Sequence, residues 1–133
     1  VGEKEEKELA DGAKELTFEE SGFLYRDRYY GSDPFIGEEI IFYNNKPIWA
    51  MNYAGKRLRK NIPKNEVYDF LKKALKKVNT KSIFRGPKEL KKNFLTYRNK
   101  TAGGINNFCG QEEIYFKDKK VYELKYHGGF IEN

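Results

Sequence analysis

The chain has 133 residues, 38% of them hydrophobic and 35% charged, and a single cysteine. That length suits one domain with a real core. It holds no apolar run near the roughly 20 residues of a membrane span, and no signal-peptide pattern opens it. Cys109 alone cannot form an internal disulfide, which sets a cytoplasmic expectation.

The net charge of +6 is unevenly spread. Residues 1–20 carry three Lys against eight Asp or Glu, whereas residues 56–100 carry sixteen Lys or Arg against three acids. Such asymmetry suits a surface for nucleic acid or an acidic partner. A solvated, lysine-rich face is the plainer reading, since composition alone cannot rank partners.

In chain order, residues 1–20 are acidic, with Leu9, Ala13 and Leu16 at helical spacing around Gly12. They predict an arm or a short helix, marginal by itself. Phe23–Tyr30 is aromatic and reads as a strand. Gly31-Ser32-Asp33-Pro34 is a turn. Glu38–Tyr43 and Ile48–Tyr53 are two more strands, joined by Asn44-Asn45-Lys46-Pro47, in which Asn tolerates positive φ. Trp49, Met51 and Tyr53 alternate onto one face as a core stripe. Lys56–Asn65 is a basic connector, and Pro63 and Asn65 signal a helix start. Val67, Phe70, Leu71, Ala74, Leu75 and Val78 recur as one apolar face, which predicts a helix over 65–78. Lys72, Lys73, Lys76 and Lys77 occupy its other face. Asn79–Asn93 reads as a loop around Gly86-Pro87.

The chain then repeats itself. Shifted by 73 positions, Phe35–Gly55 lies on Phe108–Gly128 without a gap. Gly37/Gly110, Glu39/Glu112, Ile41/Ile114, Lys46/Lys119 and Tyr53/Tyr126 are identical pairs. Trp49 matches Tyr122, and upstream Tyr25-Arg26 reappears as Tyr97-Arg98. The second copy spans 94–130 and the first 23–55. Thr101–Asn107 forms its first turn, and its hairpin turn centres on Asp118-Lys119. The predicted fold is α+β: two duplicated three-stranded antiparallel units joined by the amphipathic helix. They would form a sheet or half-barrel with the helix packed on one face.

Several spaced motifs agree with one family. Tyr25-Arg26, Gly37-Glu38-Glu39, Trp49-Ala50-Met51-Asn52-Tyr53, Phe84-Arg85-Gly86-Pro87, Tyr97-Arg98, Gly110-Gln111-Glu112-Glu113 and Tyr126-His127-Gly128-Gly129 occur in order. In these the chain, over about 21–131, resembles an uncharacterised prokaryotic family of unknown function. Members of that family stand alone or follow a Cro/repressor-type helix-turn-helix. The resemblance implies no activity and carries over no catalytic residue. The 20 residues before the repeat are too few for a helix-turn-helix, so a link to transcription regulation would run through a separate partner.

Candidate site residues come mostly from the repeat. Glu39 and Glu112 are equivalent, and two carboxylates brought together could do acid–base work or bind a metal. Arg26 and Arg98, one per copy, make a structural Glu–Arg pair in each copy the simpler account. His127 is the only histidine, which rules out a His-based metal cluster, and its counterpart is Ala54. Cys109 matches Ile36, which predicts a buried thiol. No phosphate-binding glycine loop, zinc spacing or nucleophile elbow appears, so no cofactor, metal or catalytic residue is assigned. Arg85 could bind an anion or tie its loop to the sheet. With Arg26, Arg98, Tyr25, Tyr97, Trp49 and Tyr53 it could line a polar-aromatic cleft between the copies.

Three readings follow. The first is a non-enzymatic module that senses a small anionic ligand or binds a protein. The second is weak nucleic-acid binding through 56–100, which requires the basic residues to converge beside exposed aromatics. The third is an enzyme, with Glu39, Glu112 and His127 in one open cleft. The sequence leaves the oligomeric state open.

Overall fold

The computed structural model of the chain describes residues 5–77 and 85–132. Nine strands and one helix follow in the order β1 (Glu5–Glu8), β2 (Lys14–Glu20), β3 (Phe23–Gly31), β4 (Phe35–Tyr43), β5 (Lys46–Arg57), α1 (Lys64–Leu75), β6 (Glu89–Lys92), β7 (Leu95–Gly104), β8 (Asn107–Phe116) and β9 (Lys119–Phe130). All nine strands belong to one sheet, ordered β1-β2-β3-β4-β5-β9-β8-β7-β6.

The expected α+β fold, with two three-stranded units and a helix-packed half-barrel, is therefore overturned by a single nine-stranded sheet carrying one 12-residue helix. The physical reason lies at the strand edges. A three-stranded unit leaves two rows of unpaired backbone groups. Here β2 covers the outer edge of β3, β6 covers that of β7, and β5 neighbours β9.

Two local expectations fail for related reasons. The acidic arm is β-structure, not helix: β1 pairs antiparallel with β2, and β2 with β3. Leu16 and Phe18 alternate with Glu15, Thr17 and Glu19, a period of two that prevails over the helical spacing of Leu9, Ala13 and Leu16. Gly12 at φ 93° permits the turn between these strands. Likewise the loop expected over Asn79–Asn93 contains β6, whose Glu89 and Leu90 pair with Arg98 and Tyr97. Other turns are shorter than expected: β7 continues through Thr101–Gly104, so only Ile105 and Asn106 remain of the turn expected over Thr101–Asn107. Asn44 (φ 47°) and Asn45 (φ 67°) form the two-residue link between β4 and β5.

The chain packs as two compact units. The first comprises residues 1–54, 103–109 and 126–133; the second comprises 55–102 and 110–125. In the first, Ala13, Met51, Tyr53, Phe108 and Tyr126 are buried, so most of the aromatic stripe is core. The second unit holds α1. Pro63 precedes the helix, as suits a residue without an N–H, and no side chain caps it. Val67, Phe70, Leu71 and Ala74 are buried, Leu75 is half-buried, and Tyr68 meets Tyr122 of β9 edge-on with ring centroids 5.9 Å apart. Val78, the last residue of the expected helix, lies outside the described residues, as does Phe84.

The units differ sharply in charge. Over its sequence the first carries six Lys or Arg against thirteen Asp or Glu, and the second twenty against seven. No helix among the described residues is long and apolar enough to cross a membrane.

Phe70 is 3% exposed, so its truncation removes both burial and packing. Phe70→Ala is expected to cost about 3–5 kcal/mol in a denaturant titration. A loss below about 1 kcal/mol would show that this helix face is not part of a core.

Candidate functional site

The buried carboxylate of Glu112 dominates the second unit. It sits on β8 with no exposed surface. The Tyr97 hydroxyl, from β7, donates to its Oε2, and the Arg85 guanidinium lies 2.9 Å from its Oε1. The Tyr122 hydroxyl is buried beside the same carboxylate without reaching hydrogen-bond geometry. Arg85 precedes β6 and adopts a left-handed φ of 68°, a conformation costing about 1–2 kcal/mol for a residue with a Cβ. The ion pair offsets that strain. The next residue must be glycine, because a Cβ on Gly86 would stand 2.5 Å from the Tyr97 hydroxyl oxygen. Asn99 completes the clamp: its side-chain amide donates to the Gly86 carbonyl at 3.1 Å, and its backbone N–H donates to the Lys88 carbonyl at 3.0 Å. Arg85 thus ties its loop to the sheet.

The first unit repeats part of this arrangement. The Tyr25 hydroxyl of β3 donates to Glu39 of β4. Tyr25 lies opposite Ile41 in the register, so it reaches diagonally across the strand pair to Glu39. Tyr53, 6% exposed, donates to Asp27 at 2.6 Å. In both copies the residue that meets the glutamate is a tyrosine, not the neighbouring arginine. The expected Glu–Arg pairs are corrected accordingly. Arg26 lies over the Phe42 ring, 4.9 Å from its centroid. Arg98 lies 5.4 Å from the Tyr115 centroid and pairs at 3.3 Å with Glu89, its register partner. Strand alternation explains the swap, since consecutive residues Tyr25-Arg26 and Tyr97-Arg98 point to opposite faces.

His127 is exposed on β9, and the fully buried Glu112 presents nothing to an open cleft. Cys109, expected to be buried, is exposed. It follows buried Phe108 on β8, and its counterpart Ile36 is 61% exposed. Among the described residues no group of His, Cys, Asp and Glu is arranged to hold a metal ion.

Open space is found elsewhere. In the first unit a groove of about 450 Å³ is lined by Phe18, Glu20, Ser21, Phe23, Tyr25, Ile41, Ile48, Trp49, Ile105 and Phe130. Trp49 stacks on Phe108 at 5.7 Å, and its indole N–H donates to the Ile105 carbonyl at 3.1 Å. At the rim Phe23, Ile105 and Phe130 are 45%, 47% and 58% exposed. In the second unit a groove of about 360 Å³ lies among α1, the β6–β7 turn and Phe116. Of the candidate site residues, only Trp49 and Tyr25 line the first groove, and no arginine lines either. Phe18 was hidden by the helical reading of the arm. Ile105 and Phe130 carry no motif, and only their exposure marks them.

The fold and these features define an antiparallel-sheet domain with a buried polar clamp and open surface grooves. The chain belongs to the family described as Domain of unknown function (DUF5680), whose model matches residues 27–131. No significant match was found among curated proteins or among solved structures.

Burial, followed by the charge and hydrogen bond of Glu112, pushes the Tyr97 hydroxyl far above its ordinary value of 10.0. Burial and Glu39 do the same to Tyr25, and burial and Glu112 to Tyr122, where Arg85 opposes the shift. These pKa values are raised, so the stability they contribute is present below pH 10 and is lost as pH rises, because the unfolded chain ionises first. Of the ten tyrosines, at least Tyr25, Tyr97 and Tyr122 should ionise only together with unfolding in an ultraviolet titration. Free ionisation of all ten in the folded chain near pH 10 would contradict the assignment.

Proposed function

We propose that this is a non-catalytic ligand-binding domain whose site is the aromatic groove of the first unit. The observation that carries this reading is the ring of exposed Phe23, Ile105 and Phe130 around a concave, aromatic-floored space. Contiguous apolar surface left open to water marks a binding site more often than a stability feature. A volume of about 450 Å³ lies within the range of small-molecule sites.

The ligand is an apolar or aromatic molecule with a neutral or cationic end. The thirteen acids of the first unit disfavour an anion there, so the small anionic ligand expected from the arginines is not assigned to this groove. Glu20 and Ser21 supply the polar groups at its rim. The aromatic lining suits a cation as well as an apolar body. The tyrosine–glutamate pair holds the Tyr25 ring in its wall. Chemistry has weaker support, since Glu112 is sealed and Glu39 accepts from Tyr25. In the regulatory setting implied by the family resemblance, ligand occupancy would be reported to a DNA-binding domain.

Trp49 is the only tryptophan and lines the groove, so it is the donor nearest to a dye bound there, and the rim substitution assigns the signal to this site. Titration with the uncharged dye N-phenyl-1-naphthylamine should give saturable energy transfer from Trp49. An alkylammonium should displace the dye better than an alkylcarboxylate of equal length. Phe130→Asp, at an exposed rim position, should weaken dye binding at least about tenfold, or about 1.4 kcal/mol. Absence of saturable transfer, or an unchanged affinity in Phe130→Asp, would overturn the reading.

A further inference from the structure

The groove of the second unit has a different chemistry. Its lining joins Lys73 of α1 to Lys92 at the end of β6, with Phe94, Leu95 and Phe116 beside them. Phe94 occupies the tip of the two-residue β6–β7 turn and is 62% exposed. Its ring meets Phe116 edge-on at 6.0 Å. The Lys117 ammonium stands over both rings, 5.3 Å and 5.8 Å from their centroids. The Lys117 backbone N–H donates to the Phe94 carbonyl at 2.8 Å, which fixes the two turns against each other.

Lys73 and Lys92 both line this groove, and the nearness of Lys92 lowers the pKa of Lys73 despite the opposing effect of Asp69. Two like charges facing one groove repel each other, a cost that an anion placed between them relieves. Beside them lies an exposed aromatic platform. Glu66 and Asp69 complete the helix side of the groove and offer acceptors to an amine. Cation pair, aromatic face and acceptors together match one chemical unit, an amino-bearing base attached to a phosphate.

We propose that this groove binds a nucleotide unit, with its phosphate between Lys73 and Lys92 and its base against Phe94. The source is a single strand or a free nucleotide, since a base paired within a duplex cannot reach the platform. The strongly basic charge of the second unit steers either one towards the groove. This site is independent of the aromatic groove proposed above and does not rely on it.

The test is fluorescence anisotropy with fluorescein-labelled oligodeoxycytidine, in a salt series, on the full chain. Single strand should bind more tightly than duplex of equal length. Phe94→Ala, at an exposed turn tip, should weaken single-strand binding about 5- to 150-fold, the range seen for loss of one base-stacking contact. Lys73→Gln should reduce the slope of log affinity against log salt by about 0.7, the value for one phosphate contact to a single strand. Cytidine monophosphate competing at concentrations comparable to strand phosphate would identify the free nucleotide as the source. Competition only by oligomers would identify the strand. Equal binding of duplex and single strand, or no effect of Phe94→Ala, would reduce the site to general charge attraction and overturn the proposal. No binding at low salt would overturn it outright.

Discussion

The second unit is built around a carboxylate that water cannot reach. An ionised group with no exposed surface is tolerated only when partners replace its hydration. Glu112 obtains a hydroxyl from Tyr97 and a guanidinium from Arg85. Those partners come from a neighbouring strand and from the loop entering β6, so meeting the electrostatic demand also fixes the chain path. Arg85 must turn left-handed to reach the carboxylate, Gly86 must lack a side chain to pass Tyr97, and Asn99 must hold the Gly86 carbonyl. Each requirement follows from the one before it, and all vanish if Glu112 is exposed.

Much of the local structure was legible because turns and periodicity act over short distances. Asn44-Asn45 announces its hairpin, and the apolar spacing from Val67 to Leu75 announces α1. The internal match between Phe35–Gly55 and Phe108–Gly128 announces equivalent strands. What the repeat cannot announce is how strand edges are covered, because that depends on pairing between distant segments. Lys14–Glu20 carries a two-residue alternation, but Leu9, Ala13 and Leu16 imitate a helical face over the same stretch. The partner of Glu112 was hidden in a similar way. Tyr97 and Arg98 are adjacent in sequence, and only strand direction decides which of them faces the carboxylate. Arg85 lies outside the repeat altogether.

The clamp and the grooves divide the labour of the molecule. Glu112, Tyr97 and Arg85 engage one another in the interior and offer little to a ligand. The exposed aromatics do the opposite: Phe23 and Phe130 in the first unit, and Phe94 in the second, keep large apolar surface in water without supporting a core. The charge division sharpens the contrast. An acidic unit carries an apolar groove, and a basic unit carries one that joins charged side chains to an aromatic face. Residues that a sequence marks most strongly, the repeated glutamates and tyrosines, build the frame. Residues that present open surface carry little sequence signal, because a turn tip or a strand end accepts many side chains.

A double-mutant cycle on Arg85 and Glu112 tests the frame most directly. Arg85→Met, Glu112→Gln and the combined variant would be compared in denaturant titrations. Each single change leaves a buried charge without its counter-charge, whereas the double change removes both charges. The two should therefore be strongly non-additive, with a coupling of about 0.5–3 kcal/mol and the double variant less destabilised than the sum of the singles. Additivity within about 0.5 kcal/mol would show that the carboxylate does not depend on Arg85 and would contradict the account.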